Sequence, residues 1–504
     1  MQTKTQPEEI QNYLTDASNM QGGHAEKLFI PESVSEIAEI LRDANEKDIP
    51  VTVSGARTGT VGGAVPFGGY VISMERMNKI KSIENGRNWR AVVEPGVILR
   101  DFQRAVEAEG LFYPPDPTEW SCQIGGTVAT NASGSRSFSY GDTRRYVQAL
   151  TVVFADGDSV RIERGDNEIV DDTFSIVTNY RRTITAKIPT YPRPSVRKNV
   201  SGYYSAADMD LVDLFVGSEG TLAVIVGIEL SLVPRPEGHF NGIVFFQNGL
   251  DLLNFVSDAR RFSYAERACS PIKYGPPVNA DLLEYFDDHA LTFIKEKFPE
   301  VPEEMAGAIY FEQETTPETE DTVFEAWNDL LEKHNAAIDR SWFATNEQDQ
   351  EKMREFRHAL PVSVNEFISR NKQRKVGTDM AVPDDKFQSF LKFYKDTLDA
   401  SGLDYVIFGH IGDCHLHANL LPKNDQEAER ARHIYGRCIA EAVMLGGCVS
   451  AEHGIGKLKA KYLNVMMGER YINEMAELKR AFDPKGILGR GNMFSPGALV
   501  SRPA

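Results

Sequence analysis

Cysteine is scarce in this chain, and none of it is spaced for a cluster. The five cysteines, Cys122, Cys269, Cys414, Cys438 and Cys448, show no C-x-x-C or C-x-x-x-C pattern. That argues against iron–sulfur clusters and structural zinc ribbons, and for reduced thiols. Long apolar runs are missing as well. The strongest, Leu222 to Ile228, falls far short of a membrane span and stops at Glu229. The N-terminus is polar and acidic, without the apolar core of a secretory signal. Positive charge is in deficit, with 55 Lys and Arg against 73 Asp and Glu and a net charge of −18. A general nucleic-acid surface and binding to anionic membranes are therefore disfavoured. No internal repeat or low-complexity tract is found. These absences predict a cytoplasmic protein with no transmembrane segment, long enough for two or three domains.

What is present is concentrated. Of 10 histidines, five (410, 415, 417, 433 and 453) fall between His410 and His453. His410 and His417 stand seven residues apart in Gly409-His410-Ile411-Gly412-Asp413-Cys414-His415-Leu416-His417-Ala418-Asn419, read as a glycine-interrupted loop running on from an apolar strand. Ser450-Ala451-Glu452-His453-Gly454 adds a carboxylate and another imidazole. Imidazoles with one carboxylate form a mixed N/O set suited to zinc, manganese or iron(II). A further imidazole beside such an ion is a natural proton acceptor, because histidine titrates near neutral pH.

Glycine is the second concentration. Ser33-Val34-Ser35-Glu36 reads as a capping box for an amphipathic helix, and Pro50 to Ser54 as a buried strand. The strand opens into Ser54-Gly55-Ala56-Arg57-Thr58-Gly59-Thr60-Val61-Gly62-Gly63, whose N–H groups can form an anion-binding nest suited to a pyrophosphate. It is not a Rossmann turn, since no helix pattern follows. Ile124 to Gly134 reads as a second glycine-rich loop and Gly217 to Leu222 as a third. Three such loops suggest one large ligand wrapped by much backbone. Helix patterns are read at Leu99–Val106, ending at Gly110, and at Pro383 to Ala400; Pro234-Arg235-Pro236 marks a domain boundary. Helices alternating with short apolar strands give an α/β or α+β layered fold.

Taken together, the loops at 50–66, 92–96, 114–117, 122–134 and 217–222 resemble the FAD-binding fold of vanillyl-alcohol oxidase-like (PCMH-type) flavoproteins. The segments 410–419 and 451–457, with the ending Phe482 to Leu488, are similar to its D-lactate, glycolate and D-2-hydroxyglutarate dehydrogenase branch. The resemblance implies an α+β fold: an N-terminal arm (1–28), a two-part FAD domain (29–236), an α/β cap domain carrying an antiparallel sheet (237–440), and a C-terminal helical segment closing on the FAD site (441–504). It implies FAD contacts from Ser54, Gly55, Ala56, Arg57, Thr58, Gly59, Thr60, Gly62, Gly63, Pro115, Asp116, Thr118, Gly125, Gly126, Thr130, Asn131, Ser133, Gly134, Gly220 and Asn492. The Ala56-Arg57-Thr58 stretch lacks a histidine, so FAD is expected to be non-covalent. His410, His417 and Glu452 would hold a divalent metal, zinc first, with manganese or iron(II) as alternatives. His453 would accept the substrate proton, Asn419 would steady the substrate, and Arg354 would bind its carboxylate. The implied activity is oxidation of a D-2-hydroxy acid to the 2-oxo acid, with electrons passed to an acceptor protein or quinone. A homodimer and a peripheral position at the inner membrane face are compatible with that role. An oxygen-reducing oxidase, a non-catalytic electron-relay subunit and a flavin-free metal hydrolase or lyase are the alternatives.

The chain departs from the branch at identifiable points. His358 stands where 2-hydroxyglutarate-type relatives carry threonine. Gly377 stands where they carry a lysine, with Lys375 and Thr378 as near neighbours. Arg490 replaces a frequent proline. Cys414 and His415 replace a Gly-Asn pair. His415 is read as an extra ligand, a proton relay or a strand residue pointing elsewhere, with the last preferred.

Overall fold

Val51–Ser54 and Lys27–Ile30 flank Tyr70–Ser73 in parallel, and Gln2–Lys4 adds an antiparallel edge beside Lys27–Ile30. We describe this arrangement from a computed structural model, which covers residues 1–86, 88–166, 169–268, 277–344 and 346–499; Cys269 lies outside the described residues. The first 28 residues therefore include a strand of the first sheet. Helix Val34–Glu46 covers that sheet, burying Ile37, Leu41 and Ala44. Ser33 caps it by accepting from the Glu36 N–H at 3.3 Å, while Glu36 reaches back to the Glu32 N–H rather than closing a full box.

A second sheet is wholly antiparallel, in the order Ile80–Glu84, Arg90–Val93, Val224–Ser231, Val147–Val153 and Ser159–Glu163. Helix Leu99–Ala108 packs Leu99, Phe102 and Val106 and ends ahead of Gly110, whose φ is +73°. The stretch 124–134, expected as a loop, contains helix Ile124–Thr130 instead. Ile124, Thr127 and Val128 at i, i+3 and i+4 bury one face, a period that the intervening glycines mask. Asn131 closes it in the left-handed region, at φ +49°.

The third sheet has seven strands in the order Trp342–Phe343, Gly238–Phe246, Gly307–Thr315, Leu282–Asp287, Tyr405–Gly409, His417–Leu420 and Val376–Gly377, with every pair antiparallel. Alternation assigns its two faces. Phe240, Val244, Phe246, Ile309 and Phe311 face helices Gly249–Ala268 and Glu320–Lys333, where Phe311 stacks on Trp327 with centroids 4.0 Å apart. Ile243, Phe245, Phe286, Tyr310 and Val406 face helix Glu347–Arg370 through Met353, Phe356 and Leu360. Each such large side chain contributes about 1.5–3 kcal/mol of burial. His417 thus sits on a strand, not in a loop. His410 follows the neighbouring strand and leads into a short 3-10 turn, Ile411–Asp413.

The C-terminal part returns to the first sheets. Helix Ala460–Phe482, bent at Gly468, ends in a turn whose Leu488 bridges Val51 in parallel. Buried Lys479 fastens it, donating to Thr221 O, Asp483 Oδ2 and Leu488 O at 2.7–2.9 Å.

Candidate active site

On the face of the seven-stranded sheet that meets helix Glu347–Arg370, the side chains turn polar toward one end: Asn241 beside Glu312, Tyr310 beside Glu284, then His410, His417 and Asn419. Glu452 arrives from the C-terminal side and joins them. Its Oε2 lies 3.1 Å from His410 Nε2 and 3.5 Å from His417 Nε2. Its Oε1 is taken by Ser133 Oγ and Lys198 Nζ, both donating at 2.6 Å. One carboxylate oxygen is therefore anchored and the other is presented to the imidazoles.

The imidazoles are oriented from behind. His410 Nδ1–H donates to Glu284, and His417 Nδ1–H donates to Thr378 O at 2.8 Å. Each Nε2 is thereby turned toward Glu452 Oε2, the orientation metal-ligating histidines use. Burial opposes charge on Glu452, but His410 and Lys198 prevail and hold the carboxyl well below its usual range. Burial likewise opposes charge on His410, yet Glu284 and Glu452 raise it to about 9. Two carboxylates thus favour positive charge at this point, whether a proton on His410 or a cation between the ligands. The donor set and its backing fit a divalent metal.

His453 stacks on His417, and its Nδ1 lies 3.5 Å from Asp379 Oδ2. Asp379 is a hub. It accepts from Lys459 Nζ at 2.5 Å, Ser450 Oγ at 2.7 Å, His453 N–H at 3.0 Å and Glu452 N–H at 3.1 Å. Burial opposes its charge, but His453 and Lys459 hold it well below the usual carboxylate range. His415 does not point elsewhere. Fully buried, its ring lies 4.5 Å from that of His417 and 5.6 Å from that of His410. The positive φ of Cys414 (+54°) turns the chain so that His415 enters the group.

The arginines separate. Arg354 closes its fork on Glu351 of the same helix, at 2.7 and 2.9 Å, and keeps a third of its surface exposed. Arg357, one turn further on, is buried between Glu284 (3.4 Å) and Thr118 Oγ1 (3.3 Å). His358 packs edge-on to Trp120, whose indole N–H donates to Asp116 at 2.9 Å. Asn419 is buried opposite Gly377, where an added Cβ would come within 2.7 Å of its Oδ1 and 3.5 Å of Lys375 Cε.

The residues expected around FAD fall into two kinds. A Cβ at Gly125 would strike Pro95 at 2.5 Å, and one at Gly134 would strike Asp116 O at 1.9 Å, so packing alone requires both glycines. A Cβ at Gly59 or Gly126 would meet nothing within 4 Å. The bare backbone there borders open space, and close by Gly55 the buried Gln123 Oε1 has no hydrogen-bond partner. These are features a bound cofactor explains. Ser54 ends its strand, and Arg57 folds back on Gly55 O at 3.2 Å. Ala56, Thr58 and Thr60 follow in the same loop, while a Cβ at Gly62 would come within 2.7 Å of Met20 Sδ. Asn492 joins that loop from the far end of the chain, donating to Gly63 O and Glu219 O beside Gly220, while Lys457 donates to Gly62 O and Asn492. Elsewhere the expected contacts are engaged by protein. Ser133 serves Glu452, Asn131 ties Asp142 to Arg144 N–H, Thr130 donates to Gly126 O and Pro115 O accepts from Gln103. Lys198, Glu284 and Lys457 escaped sequence reading. Each is a common charged residue whose partner lies more than a hundred residues away.

Residues 25–163 match the family described as "FAD binding domain", and residues 272–493 match "FAD linked oxidases, C-terminal domain". The chain is 30% identical to the glycolate oxidase subunit GlcD of Bacillus subtilis (strain 168), over 96% of this chain and 92% of the relative. It is 31% identical to a D-lactate dehydrogenase of Anaerostipes hadrus, over 93% and 89%. Among solved structures it resembles the 4-ethylphenol oxidase of Gulosibacter chungangensis, with a TM-score of 0.69 at 18% identity, covering 98% and 95%.

Proposed function

We infer the function from the premise that this chain belongs to the FAD-linked oxidases of the PCMH-type fold and is an FAD-dependent oxidoreductase. We propose that it oxidises a small 2-hydroxy acid of the lactate, glycolate or 2-hydroxyglutarate kind to the 2-oxo acid, and that the electrons leave to a separate acceptor protein or quinone. The names of its relatives support the substrate class. The observation that carries the proposal is the meeting of His410 Nε2, His417 Nε2 and Glu452 Oε2 beside His453.

FAD, when bound without a covalent link, would supply a two-electron acceptor for the hydride of substrate C2. His410, His417 and Glu452 would hold a divalent metal, which would supply Lewis-acid charge toward the substrate hydroxyl. Everything else belongs to the chain. His453, whose pKa burial lowers against the opposing pull of Asp379, is the neutral base that takes the hydroxyl proton. Asp379 orients that ring through Nδ1. Arg357, buried against the Glu284 that backs His410, rather than Arg354, offers a guanidinium to the substrate carboxylate. Asn419 steadies the substrate, and Lys375, whose stem passes Gly377, stands in for the missing lysine toward a second carboxylate. Gly59 and Gly126 leave room for the cofactor.

The test is an anaerobic visible spectrum of the FAD-loaded protein with a panel of D- and L-2-hydroxy acids. Bleaching by one acid is expected. A flavin band that no 2-hydroxy acid bleaches would remove the substrate class.

A further inference from the structure

His415 carries more than the three-ligand reading uses. Its ligand atom lies with those of His410, His417 and Glu452, all within 4.8 Å of one another. Its Nδ1 faces Glu452 Oε2 at 3.9 Å, the same oxygen that the other two imidazoles face. Its Nε2 lies 3.2 Å from Asp379 Oδ1, so it too has an oxygen behind it, as His410 has Glu284 and His417 has Thr378 O. The side chain is completely buried, and neither ring nitrogen makes an aligned hydrogen bond. Leaving such a group unsatisfied costs stability, which a ligand at Nδ1 would offset. The backbone holds the ring there. His415 N–H donates to His410 O at 3.2 Å, and a bridge to Ala381 clamps the residue.

Resting on the metal reading above, we propose that this chain grips its divalent ion with four side chains, His410, His415, His417 and Glu452, and therefore takes an ion that accepts six donors, manganese(II) or iron(II), rather than zinc. The choice follows from counting. A 2-hydroxy acid binds through its hydroxyl and one carboxylate oxygen, so it needs two open positions. Four protein donors fill a four-coordinate zinc and leave none, whereas a six-coordinate ion keeps two. Glu452 contributes a single oxygen, because Ser133 and Lys198 hold the other.

The experiment titrates Mn²⁺ into the FAD-loaded, chelator-stripped protein, following the free-ion EPR signal, for the parent, His415→Gln and His417→Gln. X-ray absorption of the Mn²⁺-loaded parent counts neighbours without any variant. Expected are one tight site in the parent, weakening of about tenfold or more in His415→Gln with flavin content intact, and six N/O neighbours including three imidazoles. Parent-like Mn²⁺ affinity in a folded His415→Gln, or two imidazoles in the absorption spectrum, would overturn the fourth ligand and leave the three-ligand site standing. Failure of the parent to bind either Mn²⁺ or Zn²⁺, or unchanged binding in His417→Gln, would remove the underlying metal reading as well. Tight zinc binding with four neighbours and weak Mn²⁺ binding would overturn the choice of ion.

Discussion

The rings of His417 and His453 stack with centroids 5.1 Å apart and planes 17° from parallel. One imidazole is fastened through Nδ1 to Thr378 O and the other faces Asp379, so adjacent histidines are held by different partners. Replacing His453 by Asn should slow anaerobic flavin bleaching by about 10²- to 10⁴-fold. Metal content should stay near the parent's, because the fastening of His417 is untouched. Equal loss of metal from both variants, His453→Asn and His417→Gln, would merge their roles.

Arg357 and Arg354 differ by one helical turn and by their partners. Arg357→Lys should raise KM for the hydroxy acid by about tenfold or more, since an ammonium cannot reproduce a forked contact. Arg354→Lys should leave KM near the parent value. The reverse ranking in steady-state kinetics would return the carboxylate to Arg354.

Lys198 lies buried between Glu452 and Asp413, at 2.6 and 3.2 Å. Lys198→Met removes the buried cation these two carboxylates share, leaving Glu452 to His410 alone, and should cost about 3–5 kcal/mol of stability in the metal-free protein. Saturating Mn²⁺ should narrow that gap, since a cation restores part of the lost charge. Thermal melts with and without the ion read both effects.

Gly59→Ala should leave the melting of flavin-free protein within about 0.5 kcal/mol of the parent while weakening FAD binding. Gly134→Ala should destabilise the fold itself, because φ there is +151° and the new Cβ would sit 1.9 Å from Asp116 O. FAD titration paired with melting of the flavin-free proteins separates the two.

Asp287 caps helix Asp288–Ile294, accepting from Ala290 N–H at 2.7 Å and Ile407 N–H at 3.1 Å, and burial raises it to about 7. The folded chain then binds more protons than the unfolded chain between the ordinary aspartate range and pH 7. Stability should therefore fall as pH rises through that window and level off above it. Asp287→Asn keeps the cap but cannot ionise. Relative to the parent it should gain on the order of 2–3 kcal/mol between pH 5 and pH 8, read from urea midpoints.

The helix faces were legible in the sequence because their apolar residues repeat at helical spacing: Leu99, Phe102 and Val106, or Phe387, Phe390, Leu391, Tyr394 and Leu398, are buried as the period requires. His410, His417 and His453 were legible because histidine is rare in this chain and clustered there, and Glu452 because it adjoins His453. Helix Ile124–Thr130 was hidden by glycines that serve packing and cofactor space at once. The turn of His415 into the cluster was hidden for another reason. It depends on one positive φ at Cys414, a residue type that carries no such signal. The choice between Arg354 and Arg357 rested on which side of one helix meets the sheet, and that is decided by tertiary packing.

Asn492 reaches Gly63, 429 residues earlier, and Leu488 bridges Val51. During synthesis the glycine loops leave the ribosome long before the segment that completes their surroundings, with a delay of roughly 20 to 90 s at ordinary elongation rates. A message that ends early would yield a protein whose first sheets can pair but whose first glycine loop lacks its Asn492 contact.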